Sequence, residues 1–192
     1  SLKSIGSERS FYRANIGASW TLGLLGDGFA RASATGSTRR QDGEFVDNLM
    51  TSSLKLASPA IANVLRVVGR GQLGIRLREG GTNRFTIGGG GALRGYLISE
   101  FSGQKLALTN LEVRSMPLRV LFARVGGLVF WDMGHSADRL GELRMKHGVG
   151  FGLRSLIPQL QPIVFRLDWA FALQGASAGF PGRISAGVAQ VF

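Results

Sequence analysis

The sequence predicts an all-β fold, an antiparallel transmembrane β-barrel to which this chain contributes eight or nine strands. Three observations predict this class. Apolar residues alternate with polar or small residues along most of the chain, the alternating segments are long enough to cross a bilayer at a tilt, and short connections alternate with long ones. The whole chain, 1–192, is expected to form a single domain.

The alternation is clearest in the stretch QPIVFRLDWAFALQ. Every second residue from Ile163 to Leu173 is apolar, and the residues between them, apart from Val164, are polar or small. Because successive strand side chains point to opposite faces, this pattern predicts one apolar and one polar face. Similar patterns in FYRANIGASWTL and MKHGVGFGLR support nine candidate strands: 9–22, 28–39, 52–67, 71–78, 104–115, 119–132, 143–156, 161–174 and 183–192.

The connections between these strands are predicted to alternate strictly in length. The short ones are 23–27, 68–70, 116–118 and 157–160, and the long ones are 40–51, 79–103, 133–142 and 175–182. The strands 52–67 and 71–78 are the least regular. Pro59 interrupts the first, and SPAIANVLRVV is also compatible with a short amphipathic helix.

Two architectures use strands of this kind. In a soluble sandwich the apolar face forms the core, whereas in an outer-membrane barrel it meets lipid and the polar face lines the lumen. Strand length, polar faces rich in Gly, Ser and Arg, and the alternating connections favour the membrane. We therefore expect lipid contact from Phe165, Leu167 and Phe171, and a lumen position for Arg166 and Asp168.

Composition limits the other classes. The net charge of +11, from 23 Lys+Arg against 12 Asp+Glu, raises nucleic acid as a partner. The cations are mostly arginines scattered singly at alternate positions, which disfavours that partner, and we expect no nucleic-acid binding. The absence of cysteine removes disulfides and thiolate metal sites.

The glycine run in FTIGGGGALRGYLISEF carries the most specific signal. GGGGALRGY resembles the conserved loop motif of the BamA superfamily, the bacterial surface antigen family of outer-membrane assembly and translocation barrels. Downstream stretches resemble that family's following strands in the same order: NLEVR, LVFWDMG, GVGFGLR, RLDWAFAL and ISAGVAQVF. The resemblance covers 85–192 well and the first 80 residues only in style.

This resemblance implies a sixteen-stranded barrel in the bacterial outer membrane, of which the chain is the C-terminal half. A missing N-terminal half or a second copy would close it. The implied function is assembly of proteins into the outer membrane, or translocation across it, without enzymatic chemistry or a cofactor. The implied partners are outer-membrane lipid, unfolded outer-membrane or secreted client proteins, and subunits of an assembly machine.

The resemblance also implies that the loop 79–103 enters the lumen and is locked there by Arg94, Gly95 and Tyr96. Strand parity supports partners for Arg94. Asp132 shares a face with Phe130, and Glu112 lies opposite apolar neighbours, so both carboxylates are predicted on the polar face. A guanidinium matches carboxylates in bidentate geometry. The other interpretation is a mobile extracellular loop with a solvated arginine.

The terminal strand resembles the signal by which barrel proteins are recognised for assembly. Ile184, Ala186, Val188 and Phe192 share a face, although Gln190 stands where that signal usually has an apolar residue. In the family this strand also forms the barrel seam, and we assign both roles to Gly187, Val188 and Phe192.

The alternative function is a passive porin-like channel whose arginine-rich lumen selects anions. Three further signals carry less weight. GRGQLG continues as a strand where a dinucleotide site needs a helix, and GASAG around Ser177 has no helix after it. His135 and His147 lack metal-ligand spacing, so no metal site is expected.

Overall fold

A computed structural model describes residues 11–41, 43–77, 83–90, 92–158, 163–175 and 177–190. It confirms the predicted all-β, antiparallel class. The strands are β1 Phe11–Gly23, β2 Phe29–Gln41, β3 Glu44–Ala57, β4 Leu65–Leu77, β5 Phe85–Ile87, β6 Phe101–Gly103, β7 Lys105–Ser115, β8 Leu118–Val120, β9 Ala123–Ala137, β10 Lys146–Leu156, β11 Ile163–Ala172 and β12 Arg183–Gln190. A short 3-10 helix spans Leu140–Glu142.

Most strands form one meandering sheet in the order β1-β2-β3-β4-β7-β9-β10-β11-β12, with β8 paired to β9 as a short extension. Each ladder is antiparallel. Within the described residues no ladder joins β1 to β12, so the sheet is open and both strands are edges. In the same part of the chain, no helix is long and apolar enough to cross a membrane.

The two faces of the sheet differ in chemistry as the alternation predicted. On the polar face, hydroxyl groups of β2 and β3 bond across the ladder, with Ser33 to Ser53 at 2.8 Å and Thr35 to Thr51 at 2.6 Å. The opposite, apolar face is solvent-exposed along its length. Its exposed side chains include Ile16, Trp20, Leu54, Leu73, Val129, Phe151, Leu153, Phe165, Leu167, Ile184 and Val188.

The segment between β4 and β7 folds over the polar face. Its β5–β6 hairpin lies against β9, where the Ser136 hydroxyl donates to the carbonyl oxygen of Phe85 at 3.1 Å. A buried apolar cluster joins this segment to the sheet: Ile87, Leu93, Tyr96, Leu106, Leu108 and Ala172. The core of the molecule therefore lies between this segment and the second half of the sheet.

The predicted strand 52–67 and the predicted long connection 40–51 are both wrong. β3 already begins at Glu44, so the connection after β2 is short and the strict alternation of lengths fails there. The cause is a bulge: Asp47 has a φ of 52° and the β2–β3 register shifts between Ser37 and Arg39. The extra residue of the bulge switches which residues of β3 point to the apolar face, so the alternation of apolar and polar residues does not continue across it. The residues before the bulge were therefore not recognised as part of the strand.

β3 ends at Ala57, before Pro59, and the chain turns into β4 at Leu65. The segment between forms a turn closed by a bridge from Ile61 to Leu65, so the helical alternative is also wrong. The predicted strand 119–132 is likewise divided. Leu121, with a φ of 53°, turns the chain between β8 and β9, and β9 continues to Ala137.

Candidate functional site

Arg94 lies at the centre of a buried group of charges between the loop and the sheet, and its side chain is only 5% exposed. The glycines around it allow this depth. Gly95 has a φ of 91°, and a Cβ there would lie 2.7 Å from the Ala172 nitrogen on β11. Gly88 and Gly89 also have positive φ values of 126° and 81°. These positions favour glycine because other residues rarely adopt this backbone conformation.

Asp132 on β9 is the main partner of Arg94. The guanidinium donates from Nε to Oδ2 at 2.6 Å and from Nη2 to Oδ1 at 2.7 Å, which is a bidentate pair. The Arg94 backbone N–H also donates to Oδ2 at 3.1 Å. Asp132 is fully buried, so this carboxylate depends on the loop for most of its hydrogen bonds. The predicted contact between Arg94 and Asp132 is confirmed.

The third guanidinium nitrogen completes the contacts of Arg94. Nη1 lies 2.8 Å from Oε1 of Glu112 on β7, as predicted, and 3.8 Å from Oδ2 of Asp168 on β11. The Phe130 ring lies under the guanidinium, with its centroid 3.4 Å from Cζ. A flat cation is therefore held at its edges by carboxylates and on one face by an aromatic ring.

Three further arginines surround this group from the sheet. Arg114 donates from Nε to Glu112 at 2.7 Å, and Arg154 donates from Nη1 to Asp168 at 2.6 Å. Arg166 donates to Asp168 at 3.3 Å and also to the carbonyl oxygen of Gly90 in the glycine run. Glu112 and Asp168 thus each have a second cation besides Arg94, whereas Asp132 forms an ion pair with no described residue other than Arg94.

Sequence reasoning missed Asn110. Its side-chain Nδ2 donates to Asp132 at 2.9 Å and to the carbonyl oxygen of Ala92 at 2.7 Å, so it links the strand carboxylate to the loop backbone. Strand parity with Glu112 and Arg114 places Asn110 on the polar face, but parity alone does not indicate that its side chain bridges to the loop.

Sequence reasoning also missed the role of glycines on the polar face of β10. A Cβ at Gly148 would lie 2.3 Å from the Arg94 carbonyl oxygen, and one at Gly150 would lie 2.5 Å from the Phe130 ring. A Cβ at Gly152 would lie 2.1 Å from Oδ1 of Asp168. These glycines clear a groove that admits the loop, the ring and the carboxylate. The alternation in GVGFG was the signal for it.

Tyr96 fixes the loop beyond Arg94. Its hydroxyl donates to the carbonyl oxygen of His147 at 2.9 Å, and its ring packs edge-on against Phe101 at 5.4 Å. The structure therefore brings together all six predicted loop-lock residues: Arg94, Gly95, Tyr96, Glu112, Phe130 and Asp132.

Two of the predicted seam residues, Gly187 and Val188, lie on the edge strand β12. Gly187 stands opposite Arg166 in the β11–β12 ladder, and Val188 points to the apolar face with 63% of its surface exposed. Phe192 lies outside the described residues. Their roles in assembly and in the seam stay predictions.

The remaining motifs occupy ordinary structural positions. GRGQLG lies within β4, and the Ser177 hydroxyl bonds to Glu100 at 2.8 Å. His147 stacks on Trp131, and His135 accepts a hydrogen bond from the Arg144 N–H at 3.4 Å. Within the described ranges, no three His, Cys, Asp or Glu side chains are grouped so that they could hold a metal ion.

The arrangement around Arg94 is suited to holding the loop on the sheet, because each of its three carboxylates is paired with at least one arginine. Comparison with protein-family models finds no family that matches the chain, and comparison with curated proteins finds no match.

Proposed function

We propose that the protein is an outer-membrane β-barrel of the BamA type, which assembles proteins into the outer membrane or translocates them across it. The observation that carries the proposal is the buried contact of Arg94 with Asp132 and Glu112, which fastens a long loop onto the polar face of the sheet. The sequence motifs that surround this contact are those that resemble the family.

The exposed apolar face supports a membrane location. Large apolar side chains project outwards from β1 at one edge to β12 at the other, among them Trp20 at 76% exposure and Ile184 at 69%. Soluble monomers rarely expose continuous apolar patches larger than a few hundred Å². In lipid the same surface is favourably solvated, and the polar face would then line a lumen that contains the loop.

The edges of the sheet support a role in strand addition. β1 and β12 each have a neighbour on one side only within the described residues. Unpaired N–H and C=O groups on such edges are templates for another strand. In the proposed barrel they pair with the strands that complete it, which come from an N-terminal half or from a second copy, and the seam at β12 opens towards client strands.

The mechanism we propose is conformational and needs no covalent step. The loop occupies the lumen while Arg94 holds it. Release of the loop enlarges the space available to a client and removes the packing of the loop against β11. Arg166, which bonds to the Gly90 carbonyl oxygen, connects the glycine run to the strand next to the seam.

The test is client insertion by the full-length protein in liposomes, followed as the conversion of an unfolded outer-membrane protein to its heat-modifiable folded form. We expect the wild type to accelerate insertion and Arg94→Ala to lose most of the acceleration. Arg139→Ala, at a side chain with 86% exposure, is the matched control. A wild type that conducts anions steadily and inserts no client would instead establish the passive porin-like channel.

A further inference from the structure

Three cations form a row on the polar face of the first half of the sheet. Arg31 on β2 stands opposite Lys55 on β3, which stands opposite Arg70 on β4. Neighbouring strands lie about 4.8 Å apart, so the row extends over about 10 Å. All three side chains are exposed. We call Arg31, Lys55 and Arg70 the cation row.

The described residues of the loop, 83–90 and 92–103, do not cover the cation row. The loop packs on β7, β9, β10 and β11. It meets β4 only at Gly74 and Arg76, further along the strand, within the described residues. Arg31 and Lys55 lie two residues along their strands from Ser33 and Ser53, which are hydrogen-bonded to each other on the polar face. The row therefore lies on the polar face as well, because residues two apart in a strand share a face. It therefore faces the same space as the Arg94 site.

No carboxylate among the described residues lies within ion-pair distance of the row. The guanidinium of Arg70 donates instead to the Gln72 side-chain oxygen at 2.9 Å. Asp132 stands two strands beyond Arg70 in register, about 10 Å away, and it is already paired with Arg94. Like charges directly opposite each other on a sheet are destabilising, so the row has a structural cost that an anionic partner would remove.

We propose that the cation row binds acidic segments of polypeptide in an extended conformation. The proposal rests on the proposed function, because a client chain in the lumen supplies the polypeptide. It specifies the kind of client segment that the cation row attracts, namely one in which carboxylates recur along the polypeptide.

The rungs on either side of the row favour a polypeptide over a nucleic acid. One rung is polar, with Ser33, Ser53 and Gln72, and the other is apolar, with Phe29, Ala57 and Val68. A polypeptide offers carboxylates, backbone groups and apolar side chains to such a surface. Single-stranded nucleic acid needs successive aromatic rings for its bases, and these rungs hold only one, Phe29.

The experiment measures binding of short fluorescent peptides to the full-length protein in detergent micelles by anisotropy. The probe is a peptide of alternating Asp and Ser, and its neutral counterpart alternates Asn and Ser. The triple variant Arg31→Gln, Lys55→Gln and Arg70→Gln should bind the Asp peptide about tenfold more weakly, because three exposed ion pairs are lost. Added salt should weaken wild-type binding similarly.

The matched control removes the same charge elsewhere, with Arg119→Gln, Arg124→Gln and Arg144→Gln at exposed positions. It should bind the Asp peptide like the wild type. Lys55→Glu distinguishes loss of the site from a folding defect. A carboxylate between Arg31 and Arg70 relieves the repulsion in the row while it removes the site for an acidic peptide. It should fold normally, as shown by heat-modifiability, and should lose binding of the Asp peptide.

Equal weakening by the triple variant and its control would overturn the proposal, because net charge alone would then explain binding. Row-dependent binding of tripolyphosphate or of a single-stranded oligonucleotide in preference to the Asp peptide would overturn the choice of polypeptide. The peptide assay does not depend on insertion activity. If client insertion fails while row-dependent peptide binding persists, the proposed function is wrong and the acidic-peptide site stands.

Discussion

Replacement of Arg94 with alanine tests the fastening of the loop most severely. The substitution removes two side-chain hydrogen bonds to Asp132, the ion pair to Glu112 and the contact with the Phe130 ring. It keeps the backbone N–H of residue 94, which still donates to Asp132 if the loop stays in place.

The size of the effect follows from what each carboxylate retains. Loss of one partner of a buried ion pair costs about 3–5 kcal/mol. Glu112 keeps Arg114 and Asp168 keeps Arg154, so Asp132 is the carboxylate left without a cation. Asp132 keeps Asn110, which places the expected cost near the lower limit, at about 3 kcal/mol. This corresponds to about a hundredfold increase in the open population of the loop.

Hydrogen exchange of loop amides at 92–100, with the full-length protein in micelles, measures this opening directly. We expect the amides of the loop to exchange about a hundredfold faster in Arg94→Ala, while those of β2 and β3 are unchanged. Arg94→Lys should restore part of the protection, because an ammonium cannot make the planar bidentate pair. Unchanged exchange in the loop would refute the reasoning, and so would equal acceleration throughout the sheet.

Three other perturbations have defined outcomes. Gly148→Ala should displace the loop and speed exchange of its amides, since the new Cβ meets the residue 94 carbonyl oxygen, whereas Gly127→Ala, with open space around it, should not. Leu167→Arg should lower the free energy of unfolding in liposomes by about 2–4 kcal/mol if the site lies near the bilayer midplane, as measured by urea titration; no change would place that face in water. The hydrogen bond from Arg84 holds the pKa of Asp138 below its ordinary value of 3.8, so the contact stabilises the start of the loop at pH above 3.8 and is lost as pH falls through the lowered pKa. Amide exchange near residue 84 should accelerate as pH falls through that lowered pKa, and Asp138→Asn should abolish this pH dependence.

The sequence was most informative where alternation continued without interruption. The segment from Ile163 to Ala172 was predicted within a few residues, and its parity placed Leu167 outwards and Asp168 inwards. The same parity placed Glu112 and Asp132 on one face. The face to which a strand residue points depends only on strand geometry, so these assignments were correct without any knowledge of strand order.

Features that depend on registry or on close packing were not available from the sequence. The bulge at Asp47 inverts the alternation, and only the partner strand shows where the extra residue lies. The glycine groove in β10 is visible as a pattern, yet its purpose depends on which loop atoms approach it, such as the Arg94 carbonyl oxygen at Gly148. Asn110 was overlooked because an amide in a strand has no pattern that separates a bridging role from solvation.

The orientation of the sheet relative to lipid is the central claim, and site-directed spin labelling of the full-length protein in liposomes tests it most directly. The chain contains no cysteine, so single cysteines can be introduced at Leu54 and Leu167 on the apolar face and at Ser53 on the polar face. We predict that labels at 54 and 167 collide mainly with dissolved oxygen, which partitions into lipid, and that the label at 53 collides mainly with a water-soluble nickel chelate. Equal access of the nickel chelate to all three positions would contradict the membrane barrel.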